Sequence, residues 1–257
     1  MSAIGGGIAF LSTIIGLFVF ITGKSDLPSL LSSANIVMQE WNQDEASKIV
    51  LSILPKEFPR SSDSNVSELN HFILNSYYLK YDKNDERFIM AAYSKPPDFE
   101  CHVCAPTFSF IEFKKLDEEG WILGRKHLGI LTTGAWGEPP ESIKVHILGN
   151  ETWGVFIEGS YTQMGQFTSM TSIYVDLAGA YHEVFSEVTY EDNSASGIEE
   201  GEPDYSSLKS DISIRPVPGA PFFDLVVTTN GIQGTQQISE EKIFKFDGQR
   251  YSSSDIN

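Results

Sequence analysis

Ser142–Leu177 reads SIKVHILGNETWGVFIEGSYTQMGQFTSMTSIYVDL, and the way it divides decides the fold. Three runs of strand length, Ser142–Leu148, Thr152–Glu158 and Ser172–Leu177, are rich in β-branched and aromatic residues. Turn chemistry separates them, with Gly149-Asn150 after the first run and two glycines, Gly159 and Gly165, between the second and third. The same texture spreads in both directions. Upstream lie Phe72–Tyr81, Arg87–Ser94, Thr107–Lys115 and Trp121–Ile130. Downstream lie His182–Tyr190, Asp211–Pro216, Phe222–Thr229, Lys242–Phe246 and Arg250–Ser253. Asp247-Gly248 supplies the positive φ angles of a tight hairpin, and Glu119-Gly120, Ala178-Gly179 and Pro218-Gly219 play similar roles. The expected fold is therefore mainly β, an antiparallel sandwich or barrel-like body. It divides into two to three β-meanders, at 72–130, 142–190 and 211–253, the last two weakly alike as in an internal repeat.

The N-terminus has a different character. Ile4–Gly23, IGGGIAFLSTIIGLFVFITG, contains no charge, Asn, Gln or Pro. A helix of that length rises about 1.5 Å per residue and spans roughly 30 Å, the hydrocarbon thickness of a bilayer. No Lys or Arg precedes Lys24, and the run ends in bulky residues rather than a small-residue cleavage site. A single-pass signal anchor is thus the expectation, ahead of a cleaved signal or a buried helix. Apolar residues at helical spacing then follow from Leu27 to Trp41 and again from Asp44 to Leu54, reading as a short helical neck packed on the body. Residues 56–68 are polar and Ser-rich. The expected domains are an anchor at 1–24, a neck at 25–56, a linker at 57–70 and a β-rich domain at 71–257. Lys24 leans towards a cytoplasmic body. The strand-rich domain and its cysteine pair favour the opposite, an extracytoplasmic soluble domain in the periplasm or at the cell surface.

Charge narrows the partners. The 257 residues hold 35 acidic and 18 basic side chains, a formal net charge of −17, which disfavours nucleic acid and anionic lipid because both need positive surface. The membrane is an expected partner only through residues 4–23.

Four groups of residues bear on chemistry. Cys101 and Cys104, the chain's two cysteines, are spaced for a small structural disulfide. Pro106 and a strand follow them, so the helix N-terminus that activates a redox Cys-x-x-Cys is missing, and no second ligand pair supports zinc. Glu158, Ser160, Tyr161, Gln163 and Gln166 form a candidate binding loop, two glycines bracketing hydroxyl and amide groups around one aromatic ring. Ser160 lacks the spacing of a nucleophile elbow. Glu100, Glu112, Glu158, Asp176, Glu183 and Glu187 are the carboxylates from which a hydrolytic pair would be drawn. Residues 191–211 read as a long acidic loop without the alternation of a calcium site. Asn65-Val66-Ser67 and Asn150-Glu151-Thr152 match the N-glycosylation sequon. No catalytic residue, metal site or cofactor is expected.

These features favour a membrane-tethered, non-enzymatic binding or accessory domain for a protein, peptide or glycan. The rivals are an envelope hydrolase using a carboxylate pair and a cytoplasm-facing sensor or docking domain with reduced cysteines.

Overall fold

The computed structural model describes residues 36–56, 68–97, 101, 103–116 and 119–253. The expected anchor at 4–23 lies outside them, as do residues 25–35 of the neck and most of the linker. No helix among the described residues is long and apolar enough to cross a membrane. The fold is mainly β, with 64% strand against 7% helix, and its sheets are antiparallel.

The first sheet has five strands, β1 (Ile36–Met38), β2 (Asn70–Lys80), β3 (Glu86–Lys95), β4 (Thr107–Leu116) and β5 (Gly120–Thr132), in the order β1-β5-β4-β3-β2. Both of its faces are covered, so β4 is buried without a break from Thr107 to Phe113, with Phe108, Phe110, Ile111 and Phe113 among the fully buried side chains. On one face lies α1 (Gln43–Ile53), whose first turn is closed by Asn42: its side chain accepts from the Glu45 N–H at 3.0 Å. Ala46, Val50 and Leu54 recur every four residues and are buried against Met90, Ala92, Ile111, Phe113 and Trp121. Trp41 stacks on Phe88 at 3.7 Å between ring centroids.

Ile36–Met38 corrects one expectation. These residues pair with β5, Ile36 opposite Ile122, where a helix running to Trp41 was expected. Gly120 permits it, because a Cβ there would collide with the Met38 carbonyl. Residues 36–56 therefore share one compact unit, Asn35–Asn257, with the strands.

The second sheet has eight strands in unbroken sequence order: β6 (Ser142–Gly149), β7 (Thr152–Gln163), β8 (Gln166–Leu177), β9 (Ala180–Asp192), β10 (Ser206–Arg215), β11 (Asp224–Gln233), β12 (Gln236–Phe246) and β13 (Tyr251–Ser253). The second and third expected meanders are thus one sheet. Ile143, Val145, Trp153, Val155 and Ile157 of β6 and β7 pack on Leu79, Ile89, Ala91, Phe108 and Phe110 of the first sheet.

Beyond β9 the sheet turns back on itself. β9 and β10 pair only through Tyr190–Asp192 and Ser207–Lys209, then diverge. Phe185 of β9 meets Phe244 of β12 edge to face at 5.1 Å. The segment before β11 reaches β6, where the Phe223 N–H donates to the Leu148 carbonyl at 2.6 Å. Gly149 is required at that seam, since any side chain would strike the Pro221 carbonyl. The result is a half-barrel. Leu148, Ile173, Val175, Phe185, Leu225 and Val227 fill its closed end.

Two expected loops are shorter than their sequences implied. β7 and β8 continue to a two-residue turn at Met164-Gly165, with φ of 51° and 81°, so the Glu158–Gln166 segment is paired strand. β9 likewise runs to Asp192 and β10 begins at Ser206, which leaves 193–205 as the acidic connection. Asp192 knots it: its carboxylate accepts from the Ser194 N–H at 2.9 Å and from the hydroxyls of Ser194, Tyr190 and Ser207. The Ser194 hydrogen bonds hold that carboxyl below the usual carboxylate range.

Candidate functional site

The open end of the half-barrel is a groove of about 590 Å³. Strand alternation builds it. On β6, Ile143 and Val145 face the first sheet, so Ser142, Lys144 and His146 face the groove. In register beside them, β7 presents Phe156 and Glu158, and β8 presents Phe167, Ser169 and Thr171. Thr189 and Tyr190 of β9 continue the floor. Because β10 swings away from β9, Lys209, Ser210 and Asp211 stand on the far wall, with Ile212 and Ile214 leading towards the closed end.

Aromatic faces and hydroxyls alternate across this surface. Phe167 meets Tyr190 edge to face at 5.6 Å, and Phe156 meets His146 at 4.9 Å. Thr171 and Thr189 share a hydrogen bond of 3.3 Å, and Ser210 bonds Thr229 at 2.8 Å. Desolvation beside Phe156, with the charge of Lys144 adding to it, lowers the His146 pKa. Its imidazole is therefore neutral at pH 7 and offers one donor and one acceptor. Lys144 forms no ion pair among the described residues, and Lys209 pairs with its neighbour Asp211 at 3.7 Å. The groove thus supplies donors, acceptors, both signs of charge and flat apolar rings along one wall-to-wall path.

Of the five residues expected to form a binding loop, Glu158 lines the groove. Ser160 lies two residues on, on the same face of β7, beyond the groove's lining and exposed. Tyr161 and Gln163 point to the opposite face by alternation, and Gln166 pairs with Gln163. Lys144, His146, Lys209 and Asp211 were not foreseen. The polar–apolar alternation of Ser142–Leu148 carries the signal for the first two.

Of the remaining carboxylates, three have partners outside the groove. Glu183 accepts from the Tyr174 hydroxyl at 2.9 Å, and burial raises that tyrosine's pKa to about 12. Glu187 sits opposite Thr171 on β9, and Glu100 lies outside the described residues. Glu112 and Asp176 belong to a second polar cluster, inside the molecule between the sheets. Arg87 and Glu112 are each under 5% exposed and join through Arg87 Nη1 and Glu112 Oε2 at 3.2 Å. The other edge of the guanidinium grips Asp85, Nε donating to Oδ1 at 2.7 Å and Nη2 to Oδ2. The Trp153 indole N–H also donates to Glu112 Oε2, at 3.4 Å, and Arg125 stands 3.6 Å from the same oxygen. Gly124 makes room, since a Cβ there would lie 2.8 Å from Glu112 Oε1. Beside this network, His127 Nδ1 faces Asp176 Oδ2 at 3.8 Å.

The sulfurs of Cys101 and Cys104 are at disulfide-bonding distance, with Cα atoms 4.9 Å apart. The Cys104 carbonyl accepts from the Gly137 N–H at 2.8 Å, which ties that loop to the one after β5. Among the described residues no group of three or more His, Cys, Asp and Glu is arranged to hold a metal ion. No protein-family model matches the chain, and a search of curated proteins found no similar sequence.

Proposed function

We propose that the chain is a membrane-tethered binding module that holds a polar, extended ligand, a glycan or a peptide, in the open end of its half-barrel. The observation that supports this reading is the groove itself, in which five consecutive strands aim hydroxyls, charges and aromatic faces at one space. Glu158 carries over from the segment singled out in the sequence, now joined by Lys144, His146, Phe156 and Phe167. The tether is proposed from the uncharged run at residues 4–23, and the extracytoplasmic side from the cysteine pair and the strand-rich body.

The test is retention of the Asn35–Asn257 fragment on arrays of glycans and peptides, with Lys144→Ala and Phe167→Ala as groove variants. Retention that falls at least tenfold in both variants, in correctly folded protein, supports the groove. Retention indifferent to both moves the ligand elsewhere, and release of a cleaved product would favour the hydrolase. Reporters fused to the C-terminus, one active only inside the cytoplasm and one only outside, test the compartment.

A further inference from the structure

The cluster between the sheets has three polar atoms that nothing engages. The Tyr81 hydroxyl, the Tyr181 hydroxyl and His127 Nε2 are shielded from solvent and find no hydrogen-bond partner among the described residues. Ser206 Oγ is the fourth such atom among the described residues, so three of the four belong to one cluster. His127 and Tyr181 pack edge to face at 5.0 Å, and Trp153 stands 5.8 Å from the imidazole and 6.0 Å from Tyr181. Tyr81 lies under the Arg87 guanidinium at 4.5 Å. All three groups feel the charges of Arg125 and Glu112.

We infer that this end of the inter-sheet core is a binding site for one small uncharged molecule that both donates and accepts hydrogen bonds, and that water is its resident occupant. The chemistry of the lining selects that class. Nδ1 of His127 lies 3.8 Å from the Asp176 carboxylate, whose charge favours the tautomer protonated on that nitrogen and leaves Nε2 an acceptor that needs a donor. The tyrosines stay protonated, since burial raises both of their pKa values far above the usual phenol range, and their O–H groups need an acceptor. A metal cation cannot accept from the hydroxyls, and a simple anion cannot donate to Nε2. Glu112 and Asp85 are already balanced by Arg87 and Arg125, so an added ion would bring uncompensated charge into a shielded space. A water molecule meets both demands, and buried waters ordinarily make two to four such bonds. Tyr81 also forms part of the wall of a crevice of about 970 Å³ between the β2–β3 and β6–β7 turns, which gives the occupant a route to solvent.

The sign of a conservative substitution tests the inference. With the site filled, Tyr181→Phe in the full-length chain removes a satisfied hydrogen bond and raises the unfolding equilibrium constant about fivefold, and Tyr81→Phe does the same. The double variant then departs from the product of the two, because both hydroxyls share one occupant. With the site empty, each hydroxyl is only a buried, unpaired dipole, and removing it leaves the constant unchanged or lowers it, which overturns the inference. A crystal structure fine enough to show solvent gives an independent reading. Density about 2.7–3.2 Å from at least two of the three atoms supports the inference, and an empty space between them refutes it.

Discussion

The two sheets solve opposite problems. The five-stranded sheet is enclosed, with α1 on one face and the other sheet on the opposite face, so β4 buries seven consecutive residues, Thr107–Phe113. The eight-stranded sheet shares its convex side near β6 and β7 with the first sheet and keeps part of its concave side open. Its strands accordingly mix Ser, Thr and charged residues with aromatic rings on the side that faces the groove. An enclosed sheet gains stability from its faces and has no open face left for an extended ligand. A curled sheet closed at one end keeps a surface free to bind. The expected division of labour is that stability concentrates in the first sheet and recognition in the second.

The strongest way to break that comparison is to uncover the first sheet. A chain that begins at about residue 60, inside the expected linker, lacks β1, Trp41 and α1. Met90, Ile111, Phe113 and Trp121 then face water. Such a fragment should show no cooperative unfolding transition and should aggregate, whereas Asn35–Asn257 should unfold in one transition, as followed by circular dichroism in denaturant. Equal behaviour of the two fragments would mean that the helix is an ornament and the sheet is stable with one bare face.

Within the enclosed region, the charged end of the core is the next test. Arg87→Ala leaves Asp85 and Glu112 without their principal counter-charge, Glu112 in a buried site. Removing one partner of a buried pair costs about 3–5 kcal/mol. Glu112→Gln should recover part of that loss in the Arg87→Ala background, because the stranded charge disappears. Denaturant midpoints of the parent, the two single variants and the double variant decide it, and independent, additive effects would refute the coupling.

Much of the fold is legible in the sequence, for a reason visible in β4. TFSFIEF holds three phenylalanines and an isoleucine in seven residues because both faces are covered, and that burial is written into composition. The extension of β7 and β8 beyond Glu158 was not legible, because Ser160–Ser169 has polar residues on both faces and thus no period to detect. Ile36–Met38 is too short to announce itself, and its pairing with β5 depends on Gly120, far along the chain. The groove was half readable. Lys144 and His146 alternate with Ile143, Val145 and Ile147, but Lys209 and Asp211 join them only because the sheet curls. Glu112 was conspicuous as a charge inside an apolar run, and nothing local named Arg87 and Arg125 as its partners.

Acidity separates the two regions more gently. Burial lowers the His127 pKa, the nearby Asp176 opposes that, Arg125 adds to the lowering and Glu112 opposes it again. The folded protein therefore holds this imidazole neutral at a pH where the unfolded chain, with its ordinary value of 6.5, binds a proton. More protons bound in the unfolded state means that stability falls as pH drops below that value, until the folded pKa is reached. One such group contributes a slope of at most about 1.4 kcal/mol per pH unit. Replacing His127 with Asn should flatten the dependence of the denaturant midpoint between pH 6.5 and 5. A His146→Asn variant, on the exposed groove, should alter it much less.

The smallest effect compares two neighbours on one strand. Val145 is 5% exposed between the sheets, while Lys144 next to it is exposed on the groove floor. Val145→Ala removes two buried carbons and should cost about 2 kcal/mol, counting lost transfer energy and a partial cavity. Lys144→Ala breaks no ion pair among the described residues and should change stability by no more than about 0.5 kcal/mol. If Lys144→Ala were as damaging as Val145→Ala, the groove floor would be part of the packing that holds the half-barrel closed. The open face would then serve the fold, and its polar lining would need an explanation other than a ligand. A stable Lys144→Ala protein that has lost its ligand would place stability and recognition on opposite sides of one strand, one residue apart.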